Sequence, residues 1–161
     1  MDSFDLFVLA RVLHIVAVVL WIGGVGLVTL VLIPSLRAMT APSQRLALFE
    51  QLEGRFAKQA KWLTVITMLS GVYMIEFLNA WSRYSSFEFW WMHLMTFIWL
   101  IFSLVLFVFE PLFLHRWFHQ QAEKDSEHAF MWLHRMHQVL LSLSLIAIAG
   151  AMAGSHGYSF H

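Results

Sequence analysis

The stretch from residue 12 to residue 36 contains no Lys, Arg, Asp or Glu, and Val12 to Ile33 within it is long enough as a helix to cross a hydrocarbon core, which takes about 20 residues. A segment of this kind needs either a large apolar interior or a bilayer around it. The chain has 161 residues, 60% of them hydrophobic and 12% charged, whereas soluble domains run at roughly 45 to 50% and about 25%. The bilayer is therefore the reading. Three more segments follow the pattern: Trp62 to Trp81, interrupted only by Glu76; Phe89 to Phe109, uncharged; and Met136 onward, also uncharged. The expected fold is all-α, an integral membrane four-helix bundle in a single domain, with spans at 12–33, 62–81, 89–109 and 136–156. The first apolar run is too long for a cleaved leader and no small-x-small site follows it, so it is read as a retained span.

Basic residues orient these spans. The first connection carries Arg37, Arg45, Arg55, Lys58 and Lys61, and the third carries Arg116, Lys124 and Arg135, while the other side has Arg11 and Arg83. The positive-inside rule then puts both termini outside, in an up-down-up-down multi-pass arrangement in a plasma (bacterial inner) membrane. Trp81, Tyr84, Trp90, Trp91 and Tyr158 would form an outer aromatic belt, and Trp62, Trp117 and Trp132 an inner one. Between spans one and two, Leu46, Phe49, Leu52 and Phe56 recur at helical spacing, so Ala41 to Gln59 reads as an amphipathic connecting helix. Gly150 and Gly154, with Ala147 and Ala151, and the Gly23, Gly24, Gly26 group are small enough for close helix packing or for a cofactor beside a backbone.

Composition also excludes several chemistries. Ten Lys and Arg balance ten Asp and Glu, which leaves no electrostatic footprint for nucleic acid. Cysteine is absent, removing disulfides, thiolate metal sites and cysteine nucleophiles. Metal chemistry would have to use the nine His, the nine Met or the carboxylates.

Counting from the inner boundaries places His14, His93 and His156 at similar depth near the outer edge of the core, with Glu76 close by. The first and third helices of such a bundle tend to lie diagonally, and bundle interiors are where metal and cofactor sites are built. His14 and His93 are thus candidate axial ligands of one haem, each offering a nitrogen lone pair to iron, with His156 a further candidate metal ligand. Arg11, one turn outward of His14, is placed to pair with propionates. Trp21, seven residues after His14, shares its face and could pack on a macrocycle, and Phe97 stands one turn below His93. A second group, His115, His119, His128, His134 and His137, gathers at the inner ends of spans three and four, where His115, His134 and His137 are candidates for a second haem or metal. Glu110 precedes Pro111 inside span three and could bind a freed backbone group, pair with Arg116 or relay protons. Met92 and Met95 beside His93, with Met68, Met74 and Met152, keep a Cu(I) reading open, although Met is also a common gap-filler of apolar helices.

The run Leu13-His14 through Trp21 to Gly23-Gly24 resembles the opening helix of the CopD-like (copper-resistance D) membrane domain and of the related HemJ-type protoporphyrinogen oxidases. Arg55-Phe56 leading through Lys61-Trp62 to Ser70-Gly71, and Trp91-Met92-His93 at the start of the third span, resemble the same families. The resemblance covers most of the chain and implies a four-helix membrane protein with a b-type haem, His14 matching the family's first-span histidine. HemJ-type proteins have a Lys in the third-span motif and an acidic residue closely followed by Pro in the fourth, where this chain has His93 and Met95, then His137-Gln138-Val139. The expected function is electron transfer between a membrane quinol and an outer-face acceptor protein, on haem b held by His14 and His93. The alternatives are copper handling or transport at His93, Met92, Met95 and His156; protoporphyrinogen oxidation; and a small accessory subunit of a membrane complex, as a homo-oligomer or within a larger assembly.

Overall fold

The computed structural model describes residues 2–38 and 41–158, apart from the side chains at 42, 43, 113–115, 117, 119 and 123. Every regular element among them is helical. Helix α1 (Ser3–Leu27) begins at Asp2, whose carboxylate accepts from the Asp5 backbone N–H at 2.8 Å while Asp5 returns the contact to the Asp2 N–H at 3.2 Å. Two of the orphan donors of the first turn are satisfied in this way. The helix runs on through a π-helical stretch, Val28–Leu32, into α2 (Ile33–Arg37). A second π stretch, Val105–Leu114, follows α4 (Trp90–Leu104) and contains Pro111. Both widenings adjoin a proline, Pro34 in the first case. Proline lacks the N–H of the ladder and crowds the carbonyl four residues back, and a wider turn gives that carbonyl room without breaking the rod.

Helix α3 (Pro42–Phe77) unites two elements expected to be separate, the amphipathic connection and the second span. No Pro or Gly separates Gln59 from Trp62, so nothing interrupts the ladder there. The helix stops four residues before Trp81, because Asn79 takes a left-handed conformation (φ 49°) and the Asn79 and Ala80 N–H groups bond back to Glu76 and Ile75 at 3.0 and 2.9 Å. This double closure is a Schellman motif, and Asn is among the few residues that enter it cheaply. Short 3₁₀ turns, Trp81–Ser85 and Phe87–Phe89, lead to α4; α5 (His115–Lys124) and α6 (Ser126–Ser155) complete the chain. Among the described residues, three helices are long and apolar enough to cross a membrane: Ser3–Arg37, Phe87–Leu112 and Ser126–Ser155. The second expected span is not one of them, since its apolar part ends with α3 at Phe77.

α1 lies chiefly against α3 and α4 against α6, with lesser α1–α6 and α3–α4 contacts closing the arrangement. Small residues set the α1–α3 approach: Ala57, Ala60, Thr64, Thr67 and Ser70 are all buried on α3. Their hydroxyls donate to carbonyls of their own helix, Thr64 to Lys61 at 2.9 Å, Thr67 to Leu63 at 2.8 Å and Ser70 to Ile66 at 2.6 Å, so these three hydroxyls are satisfied within the helix.

Two cores form along the long axis. One gathers Trp21, Leu63, Ile98, Phe102 and Leu141; the other gathers Ile33, Leu36, Phe49, Phe118 and Phe130, and Phe56 packs against both. A 35-residue helix is about 50 Å long at 1.5 Å per residue, well beyond a hydrocarbon core of about 30 Å. The second core belongs to the projecting end, where Arg37 and Arg45 both bind Glu127 and Arg45 lies 5.8 Å over the Phe130 ring.

Candidate imidazole site between α1 and α3

His14 sits on the α1 face that also carries Ala10, Ala17 and Trp21, half-buried against α3. Its Nδ1 is 3.0 Å from the Thr67 carbonyl oxygen and 3.1 Å from Ser70 Oγ. The Thr67 oxygen only accepts, and the Ser70 hydroxyl hydrogen is committed to Ile66. Both neighbours of Nδ1 therefore offer lone pairs, so Nδ1 carries the hydrogen and donates it. The neutral ring then keeps its lone pair on Nε2. This is how metal-binding imidazoles are commonly prepared, one nitrogen tied to a carbonyl so that the other is aimed. Gly71 completes the seat: a Cβ there would stand 3.2 Å from His14 Cε1.

One turn and two turns deeper on the same face lie Ala17 and Trp21. Trp21 is 3% exposed and meets Phe102 edge-on, with ring centroids 5.0 Å apart. Its Nε1 is buried without a hydrogen-bond partner among the described residues. Such a donor is costly unless something accepts from it. Trp99, by contrast, donates to the Thr64 carbonyl at 3.0 Å.

His93 has different company. Its Nδ1 is 3.2 Å from the Phe89 carbonyl oxygen and its Nε2 is 3.1 Å from that of Tyr84, while the Phe87 ring stacks on it at 6.0 Å. Tyr84 is in turn tied to Thr96 at 2.8 Å. Both imidazole nitrogens face carbonyl oxygens, and a neutral ring can donate through only one of them, so His93 is tied either to its own helix at Phe89 or to the preceding 3₁₀ turn at Tyr84. The structure gives His14 and His93 no common partner, unlike the expected pair around one iron. Phe97, a turn below, is exposed.

His156 caps α6 as an exposed residue with Nδ1 2.7 Å from the Met152 carbonyl. Arg11 is exposed one turn outward of His14. Met92 is buried, Met95 packs on the first core and Met152 is exposed. Among the described residues no three His, Asp or Glu side chains are grouped to hold a metal ion. In the inner group, His137 is tied through Nδ1 to the Leu133 carbonyl at 3.0 Å; the side chains of His115 and His119, and that of Trp117 in the expected inner belt, lie outside the described residues. Gly150 and Gly154 admit the rings of Trp90 and Trp91, which a Cβ at either position would overlap. Their role is close packing of α4 on α6.

Two partnerships escaped the sequence reading. Glu110 pairs with Lys61, Nζ to Oε2 2.6 Å, and not with Arg116. Thr67, Ser70 and Gly71 form the seat of His14; small residues three and four apart in an otherwise apolar span were the available signal. No family model, curated protein or solved structure matches the chain.

Proposed function

We propose that the chain is an integral membrane b-type haem protein that passes electrons between a membrane quinol and an acceptor at the outer face, with His14 as the residue that would hold the haem iron. In this reading it is a four-span, up-down-up-down bundle with both termini outside, and the apolar part of α3 serves as the second span. The observation that carries it is the place of His14 Nδ1, 3.0 Å from the Thr67 carbonyl oxygen and 3.1 Å from Ser70 Oγ: a carbonyl oxygen only accepts, which assigns the hydrogen to Nδ1 and the lone pair to Nε2.

The residues fit a haem in part. His14 supplies a suitably prepared donor, the unpartnered Trp21 N–H is a hydrogen-bond donor on the same face, and Arg11 supplies positive charge at the outer end. His93 does not fit as the second ligand while both its nitrogens face carbonyls, so the proposal rests on His14 alone. When bound, a haem supplies one-electron chemistry through its iron, tuned by ligand identity, burial and neighbouring charge. The chain's own contribution is to hold the imidazole plane through Thr67 and Ser70, to exclude water with the Trp21–Phe102 pair beneath it, and to present Arg11 to carboxylates at the headgroup level. Copper is less well served, because His93, the centre of the expected copper set, is already engaged.

Visible spectroscopy of protein purified from haem-replete cells tests the proposal. The reduced form is expected to show a sharp α-band that His14→Ala removes while the far-UV dichroism stays helical. A wild-type protein without that band ends the haem reading.

A further inference from the structure

An open groove of about 440 Å³ runs along α6 and is lined by Trp132, Arg135, Met136, Val139 and Leu140. The space is open along one side and its lining comes from α6 alone. Trp132, Met136 and Leu140 recur every four residues, as do Arg135 and Val139, so the five make one stripe down the helix. Its head and floor differ chemically. Arg135 is exposed at the boundary where the charged part of α6 gives way to twenty uncharged residues, Met136 to Ser155. Trp132, 45% exposed, stands one turn toward the polar end, and Val139, 59% exposed, one turn toward the apolar end. The groove surface is almost wholly apolar below that single cation.

Charge decides what can lie there. Three carboxylates of this region are engaged elsewhere: Glu127 by Arg37 and Arg45, Glu110 by Lys61, and Asp125 by the His128 backbone N–H. From residue 131 to residue 139 there is no Asp or Glu, and Arg135 forms no ion pair among the described residues. An occupant must therefore bring a negative group to Arg135 and an apolar body to Met136, Val139 and Leu140. A second apolar helix offers the body without the charge, and a free phosphate offers the charge without the body. We propose that this groove is a binding site for one anionic phospholipid, its phosphate held by Arg135, its glycerol region against the Trp132 ring and an acyl chain along Val139 and Leu140.

Native mass spectrometry of the full-length protein, released from nanodiscs of mixed phosphatidylglycerol and phosphatidylcholine, tests this. One phosphatidylglycerol per chain should be retained in preference to phosphatidylcholine. Arg135→Gln, a change at an exposed position, should reduce that preference about fivefold, the effect of one basic residue at an anionic surface. Val139→Trp, which fills the groove and keeps the charge, should lower retention of both lipids. Equal retention of the two lipids by the wild type, a preference unchanged in Arg135→Gln, loss of the bound lipid to millimolar inorganic phosphate, or a lipid-free dimer closed over this face would each overturn the proposal.

Discussion

Gly71 and His14 are fitted to each other across the α1–α3 contact, with the position a Cβ would take at residue 71 only 3.2 Å from His14 Cε1. The approach is tighter than ordinary van der Waals contact, and the imidazole is the group able to move. Gly71→Ala should therefore rotate the ring off the Thr67 carbonyl. The expected outcome is a weakened, shifted α-band with little loss of helicity, and Gly71→Val should abolish the band. A Gly71→Val protein with an unchanged spectrum would place the chromophore away from His14.

The Lys61–Glu110 pair joins α3 to the π stretch that carries Pro111, with both side chains 30% exposed. Removing one partner leaves a charge in a poorly solvated place, which costs about 3 to 5 kcal/mol when burial is complete and roughly 1 to 2 kcal/mol at this exposure. Lys61→Met and Glu110→Gln should each lower the thermal midpoint in detergent, and the exchange Lys61→Glu with Glu110→Lys should recover most of the loss. Additive single and double effects would show that the two groups are not coupled.

Asn79 ends α3 in a left-handed conformation. Asn and Ala both carry a Cβ there, but the short polar side chain of Asn offsets part of the cost of about 1 to 2 kcal/mol by bonding locally and that of Ala does not, while Gly avoids the clash. Asn79→Ala should thus melt earlier than the wild type and Asn79→Gly close to it. If Ala proves harmless, α3 does not need this turn to stop.

How far the amino-acid sequence discloses the structure depends on which interactions are local. Uncharged runs at 12–33, 89–109 and 136–156 mark all three candidate spans found among the described residues, because burial in lipid is a property of composition. The end of α3 is less legible: Asn79 is one polar residue among several near Trp81, and only its φ shows that it closes the helix. The seat of His14 depends on the sliding register of α1 on α3, which places residue 14 beside residues 67, 70 and 71, and no local pattern fixes that register. The Lys61–Glu110 pair, 49 residues apart, is hidden for the same reason. His93 differs again: its depth in the chain suggested a ligand, but two 3₁₀ turns bring the Tyr84 carbonyl to its second nitrogen, and such turns leave little trace in hydrophobic periodicity.

Trp21 offers a test that separates a packing residue from one that serves a ligand. Its indole N–H is buried without an acceptor among the described residues, and an unsatisfied buried donor costs about 1 to 3 kcal/mol. Trp21→Phe removes that donor and keeps an aromatic edge against Phe102, at the expense of some packing volume. In haem-free protein the two effects should nearly offset, leaving the thermal midpoint within about 5 °C of the wild type, since roughly 1 kcal/mol moves a domain of this size by a few degrees. In haem-loaded protein, Trp21→Phe should be distinctly less stable than the wild type if the bound group accepts from the indole. Equal stabilities of the loaded proteins would assign Trp21 to the core alone and leave His14 as the group that touches the cofactor.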